Sequence, residues 1–120
     1  MGYDINFWKY KSGVPHDNDK VYAKACCDGE TLEELETLPI KEIFKKIEQT
    51  FSDWTKLDEF NYGKEGSGAF TISATSQTVR FDCYGMQGDD MNTLMDILID
   101  FGCPVYDPQI SERFDSWTDR

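Results

Sequence analysis

An α+β fold is predicted, with two helices packed on one face of a mainly antiparallel sheet. Three features of the 120-residue chain carry that reading. Apolar residues recur at helical spacing twice, over residues 40–51 and 90–101. Elsewhere they alternate with polar residues at a period of two, the pattern of strands buried on one face. The elements come in the order strand, helix, strand, strand, helix, strand, which is the ferredoxin-like pattern. The length suits a single domain spanning residues 1–120.

In the first strand, residues 2–10, Tyr3, Ile5 and Phe7 alternate with Asp4, Asn6 and Trp8. Residues 11–20 (KSGVPHDNDK) form a polar loop with Gly13 and Pro15. Val21, Ala23 and Ala25 suggest a weaker strand over residues 21–27. Paired with the first through that loop, it adds an extra N-terminal hairpin strand to the ferredoxin-like core. Residues 28–36 (DGETLEELE) follow as an acidic loop carrying Asp28, Glu30, Glu33, Glu34 and Glu36. Calcium is not expected there. Gly29 comes second and Leu32 fifth, where an EF-hand loop needs an oxygen donor fifth and glycine sixth.

Pro39 suits the start of a helix. Ile40, Ile43, Phe44, Ile47 and Phe51 make its buried stripe, and Lys41, Glu42, Lys45, Lys46 and Glu48 its solvated faces. Residues 54–60 suggest a short strand, and residues 61–68 (NYGKEGSG) a hairpin turn. A phosphate-binding loop is not expected, since Lys64 precedes Gly66 and Gly68 and a strand follows. Phe70, Ile72 and Ala74 alternate with Thr71, Ser73 and Thr75, and Ser76-Gln77 turns that strand toward Val79.

Residues 79–107 organise the rest: strand, turn, helix, turn, strand. Val79, Phe81 and Cys83 alternate with Arg80, Asp82 and Tyr84 until Gly85 and Gly88 break the run. Asp89 or Asp90 is expected to cap the helix. Met91, Leu94, Met95 and Leu98 form its apolar stripe, widened by Ile97 and Phe101. Gly102 stands where a left-handed residue ends a helix, and Pro104 forbids continuation. The tail from residue 110 carries Phe114 and Trp117 among charges.

Parity assigns the two faces of the sheet. Ile5, Phe7, Phe70, Ile72, Val79, Phe81, Cys83 and Val105 are predicted to face the helices. Trp8, Tyr10, Thr71, Ser73, Tyr84 and Tyr106 fall on the other side, an aromatic and polar platform if nothing covers it.

Net charge is −11. Nucleic-acid binding needs the opposite sign, and an anionic membrane surface would repel such a chain. A basic protein would be attracted. No apolar run approaches the roughly 18 residues of a membrane span. Met1-Gly2-Tyr3-Asp4 has neither a basic region nor an apolar run, so no secretory signal is read and a cytoplasmic address is expected. Cys26, Cys27, Cys83 and Cys103 have no bridging spacing and are expected to be free thiols.

Catalytic chemistry has no signature here, so an enzyme is not expected, nor a cofactor. His16 is the single histidine, beside Asp17 and Asp19 in a polar loop. Zinc needs three or four converging ligands, so no metal site is assigned. No G-x-S-x-G run marks a nucleophilic serine.

Residues 80–109 (RFDCYGMQGDDMNTLMDILIDFGCPVYDPQ) resemble segments of small bacterial immunity proteins. These are the cytoplasmic antidotes of contact-dependent growth inhibition and related polymorphic toxin systems. The resemblance covers about a quarter of the chain, the thirty residues quoted out of 120. It implies a protein, monomeric when unbound, that binds a cognate basic toxin domain, often a nuclease, and occludes its active site. Acidic residues would then stand in for phosphates, and aromatic residues would anchor the complex. The expected contact residues are Asp28, Glu30, Glu33, Glu34 and Glu36, with Trp8, Tyr84 and Tyr106. A small-molecule or structural module using the Trp8, Tyr84 and Tyr106 face is the alternative, and an enzyme built on His16 a third.

Overall fold

Alternating apolar side chains build the sheet. A computed structural model describes residues 2–114. Strand β1 is Gly2–Trp8. A short helix α1, Asn18–Val21, runs on as a π-helix over Tyr22–Cys27. Helix α2 is Ile40–Thr50. Strands β2 (Thr55–Lys56), β3 (Asn61–Lys64), β4 (Gly68–Ala74) and β5 (Thr78–Tyr84) follow. Helix α3 is Gly88–Asp100, then β6 is Val105–Asp107 and β7 is Glu112–Arg113.

The seven strands lie in the order β2-β3-β4-β5-β1-β6-β7, each pairing antiparallel. Register follows the hydrophobic pattern: Ile5 stands opposite Phe81, Phe7 opposite Val79 and Val105, and Phe81 opposite Ile72. All eight residues that parity assigned to the helical face lie in one core with Ile43 and Ile47 of α2 and Leu94 and Leu98 of α3. Phe81 meets the rings of Phe7 and Phe70 edge-on at 5.7 and 5.9 Å. The outermost strands, β2 and β7, are two residues each, which shortens the edges exposed to stray pairing.

Helix α3 ends as its sequence predicts. Gly102 takes a φ of 81°, its N–H bonds to the Ile99 carbonyl at 2.9 Å, and Cys103 N–H bonds to Leu98 O at 3.0 Å. These are the paired bonds of a Schellman motif. The start differs from the expectation. Gln87 occupies the cap position without a side-chain bond, and Asp89 and Asp90 lie in the first turn. There their charge favours the positive end of the helix dipole.

Residues 21–27 correct the largest error of the sequence reading: they are helical, not a hairpin strand. Asp17 starts the turn, its side chain accepting from Lys20 N–H at 3.2 Å. Val21 and Ala25 are buried while Ala23 is exposed. That is a spacing of four, not the alternation that three small residues suggested. Among the described residues the fold therefore has three helices, not two, and they flank both faces of the sheet. α1 and its π-helical extension cover the second face, burying Trp8, Tyr10 and Tyr106 with Val21, Ala25, Leu32 and Leu35. The open platform over those three aromatics does not exist.

Of the tail, Phe114 packs against the main core and its N–H bonds Val105 O at 2.8 Å; Trp117 lies outside the described residues. Among the described residues no helix is long and apolar enough to cross a membrane.

Tyr3 fastens β1 to the end of β6 by donating its hydroxyl to the Asp107 carboxylate. That bond, then burial, pushes the Tyr3 pKa from 10.0 up to about 12. The folded state holds the phenol neutral more firmly than the unfolded chain does. This contribution is complete below pH 10 and is lost as pH rises toward about 12. Thermal melts between about pH 9 and 12 should show a falling midpoint, and Tyr3→Phe should make the fall shallower. Tyr22, also raised by burial and by its bond to Asp4, leaves a residual slope in that variant.

Candidate interaction surface

The acidic loop is pinned from below by one side chain. Residues 28–36 form neither a regular helix nor a strand, apart from a lone bridge between Leu35 and Tyr10. Leu32 and Leu35 turn inward to the second core. Beneath them lies Gln77, in the turn between β4 and β5. Its Oε1 accepts from Leu32 N–H at 2.8 Å, and its Nε2 donates to the carbonyls of Leu32 and Leu35 at 2.8 and 3.1 Å. Further backbone bonds run from Lys11 N–H to Glu34 O and from Glu36 N–H to Lys9 O, at 2.9 and 2.8 Å. The result is a loop tied to the body by its backbone, with Asp28, Glu30 and Glu33 outward.

The five acids divide into two groups. Glu34 pairs with Lys20 at 2.9 Å, and the hydrogen bond from that ammonium holds its carboxyl below the usual range. Glu36 lies 3.6 Å from Lys9. Asp28, Glu30 and Glu33 are exposed and have no ion pair among the described residues. Lysines thus pair the two acids at the loop's C-terminal end and leave three carboxylates facing solvent. Glu33 and Glu34 also wall a groove of about 560 Å3 with Val14, Pro15, Asp17 and Lys20.

Of the aromatic residues assigned as anchors, the structure leaves one accessible. Trp8 and Tyr106 are buried, their rings 5.1 Å apart. Their burial follows from the helical course of residues 18–27, which lays a cover over parity positions that a strand would have left open. The Tyr106 hydroxyl donates to Asp19 at 3.0 Å, Tyr10 to Asn18 at 2.6 Å, and Tyr22 to Asp4 at 3.1 Å. These tyrosines fasten the helical cover to the sheet. Tyr84 is 47% exposed at the far end of β5. From Gln77, under the acidic loop, an extended strand of that length reaches about 20 Å. Tyr84 and the loop therefore mark two ends of one surface, not one cluster.

The histidine and its acids serve structure. His16 stacks on Tyr10 with centroids 3.9 Å apart, Asp17 caps α1, and Asp19 accepts from Tyr106. Among the described residues no group of three or more His, Cys, Asp or Glu side chains could hold a metal. The cysteines are unbridged. Burial pushes the thiols of Cys83 and Cys26 up to about 12 and that of Cys103 to about 11, far from the thiolate a nucleophile needs.

Sequence reasoning missed Gln77 and the polar group beneath the π-helix. There Asp4 accepts from Asn6 at 3.0 Å and from Tyr22, and Arg80 reaches Asp82 at 3.1 Å. Gln77 reads as an ordinary turn residue, and only the packing of a distant loop makes it a clamp. No family model, curated protein or solved structure matches the chain.

Proposed function

We propose that this protein is an inhibitor that acts by binding: a cytoplasmic immunity protein that occludes a basic toxin domain of the nuclease type, excluding nucleic acid from it. The fold we read as a ferredoxin-like core, β6-β1-β5-β4 with α2 and α3, extended by strands at both edges. One observation carries the functional reading: Gln77 and backbone bonds tie the acidic loop to the body while Asp28, Glu30 and Glu33 face solvent. An ordered loop loses little conformational freedom on binding, so its charge converts to affinity and association rate. Asp28, Glu30 and Glu33 supply the attraction, since Glu34 and Glu36 are already paired. A standard interface covers about 800 Å2 of each partner, roughly 30 Å across, enough to join the loop to Tyr84. The small-molecule alternative loses support, because its platform of Trp8 and Tyr106 is buried.

The test coexpresses this chain with a basic toxin domain encoded beside its gene. Growth should be restored and a one-to-one complex isolated; undiminished growth arrest with both proteins present would overturn the proposal. In that complex, replacing Asp28, Glu30 and Glu33 by their amides should slow association about tenfold at low salt and flatten its salt dependence. Tyr84→Ala should instead speed dissociation, about tenfold for a hot spot. Unchanged association at low salt would remove the loop from the interface.

A further inference from the structure

The layer that covers the second face is bracketed by two glycines and held to the sheet by side chains. Gly13 and Gly29 take φ of 77° and 72°, the left-handed region that glycine enters without strain. Neither is packed: a Cβ at either position would meet nothing within 4 Å. Just beyond them the chain is pinned, where Lys11 N–H bonds Glu34 O and Gln77 holds Leu32. Among the described residues, the backbone-to-backbone bonds of residues 14–28 stay within the layer or reach its own end at Glu30. What joins the layer to the sheet is hydroxyl bonds, Tyr10 to Asn18, Tyr106 to Asp19 and Tyr22 to Asp4, with His16 stacked on Tyr10. Its apolar footing is small. Val21 and Ala25 are buried, and Val14, Tyr22 and Cys26 are half-buried beside them. The main core, on the other face, is a separate cluster.

We propose that residues 14–28 are a hinged cover that opens as one unit, turning at Gly13 and Gly29 and uncovering Trp8 and Tyr106 while the sheet and its main core stay folded. A segment opens apart from the rest where few buried contacts and no strand pairing hold it. Opening here breaks three hydroxyl bonds and a footing of small side chains, and leaves every strand pair intact. The released groups keep partners. Asn18 and Asp19 leave with the cover and meet water, and Asp4 keeps Asn6 at 3.0 Å and Arg80 at 3.7 Å. The Lys20–Glu34 pair spans cover and loop at the surface, where an ion pair contributes little. Once detached, α1 and its π-helical extension are shorter than the roughly 12–15 residues an isolated helix needs, so opening and melting coincide. The device stands apart from the toxin reading.

Hydrogen exchange of the full chain, followed in urea below the unfolding transition, reads the opening directly. The amides of Val21, Tyr22 and Asp28, bonded within the cover, should converge on one opening. That opening should be at least about a hundredfold more populated than the one that frees the amides between β1 and β5, with a shallower urea dependence. Thiol labelling gives a second readout, in a Cys27→Ser chain so that the exposed thiol is silent. Cys26 packs under the cover, Cys83 and Cys103 in the main core, so Cys26 should be labelled first by a similar factor. Tyr22→Phe and Tyr106→Phe each delete one latching hydroxyl and should speed Cys26 labelling about tenfold. Ile43→Val, in the main core, should speed Cys83 labelling about fivefold and leave Cys26 unchanged, because the open state keeps that core. The proposal is overturned if the cover amides share the urea dependence of β1, or if Val21 and Asp28 open separately. It is equally overturned if Ile43→Val speeds Cys26 as much as Cys83, or if both hydroxyl deletions leave Cys26 labelling unchanged.

Discussion

Trp8→Ala should lower the unfolding free energy by about 3–5 kcal/mol, the usual cost of truncating a buried large aromatic. Trp8 is fully buried, 5.1 Å from Tyr106 and beneath the α1 cover. The Arg113 guanidinium lies over its ring at 5.4 Å. Removing the indole opens a cavity between sheet and cover, which a short helix tied by hydroxyl bonds cannot collapse to fill. Urea unfolding gives the value, with a melting midpoint about 10–20 °C lower. Tyr84→Ala, on the same face but exposed, should change stability by less than about 0.5 kcal/mol. A Trp8→Ala protein as stable as the parent would mean that the second face is open, as the sequence alone had suggested.

Gln77→Ala should cost about 2–4 kcal/mol, because it strands one buried N–H and two buried carbonyls of the acidic loop. The loss is local in origin. Hydrogen exchange should accelerate first at the amides of Leu32, Glu36 and Lys11, which the clamped loop protects. The variant also separates shape from charge. It removes no carboxylate, so electrostatic steering persists, yet the loop must now be ordered when a partner binds. Binding to the proposed toxin partner should weaken about tenfold, mostly through faster dissociation. Exchange at Leu32 as slow as in the parent would show that other contacts hold the loop.

The sequence alone determined the helical face of the sheet. Period-two and period-3.6 patterns are written by local geometry, so Ile5, Phe7, Phe81, Ile43 and Leu94 announce their burial without reference to one another. The Gly102 stop is likewise local, needing only a left-handed residue followed by proline. Tertiary structure decided the second face. Val21, Ala23 and Ala25 are small residues without a strong period, and Asp17 as a cap and Trp8 as a hydrophobic base tip them into a helix. That choice buries Trp8 and Tyr106 and leaves Tyr84 outside, a distinction invisible to parity because all three share one face. Tertiary structure also decided which acids stay available. Their number was plain in the chain, but Lys20 and Lys9 reach Glu34 and Glu36 only after folding, and Gln77 meets Leu32 across 45 residues of sequence. Local pattern says which side chains must leave water; only the packing of distant segments says which of the remaining surface is covered.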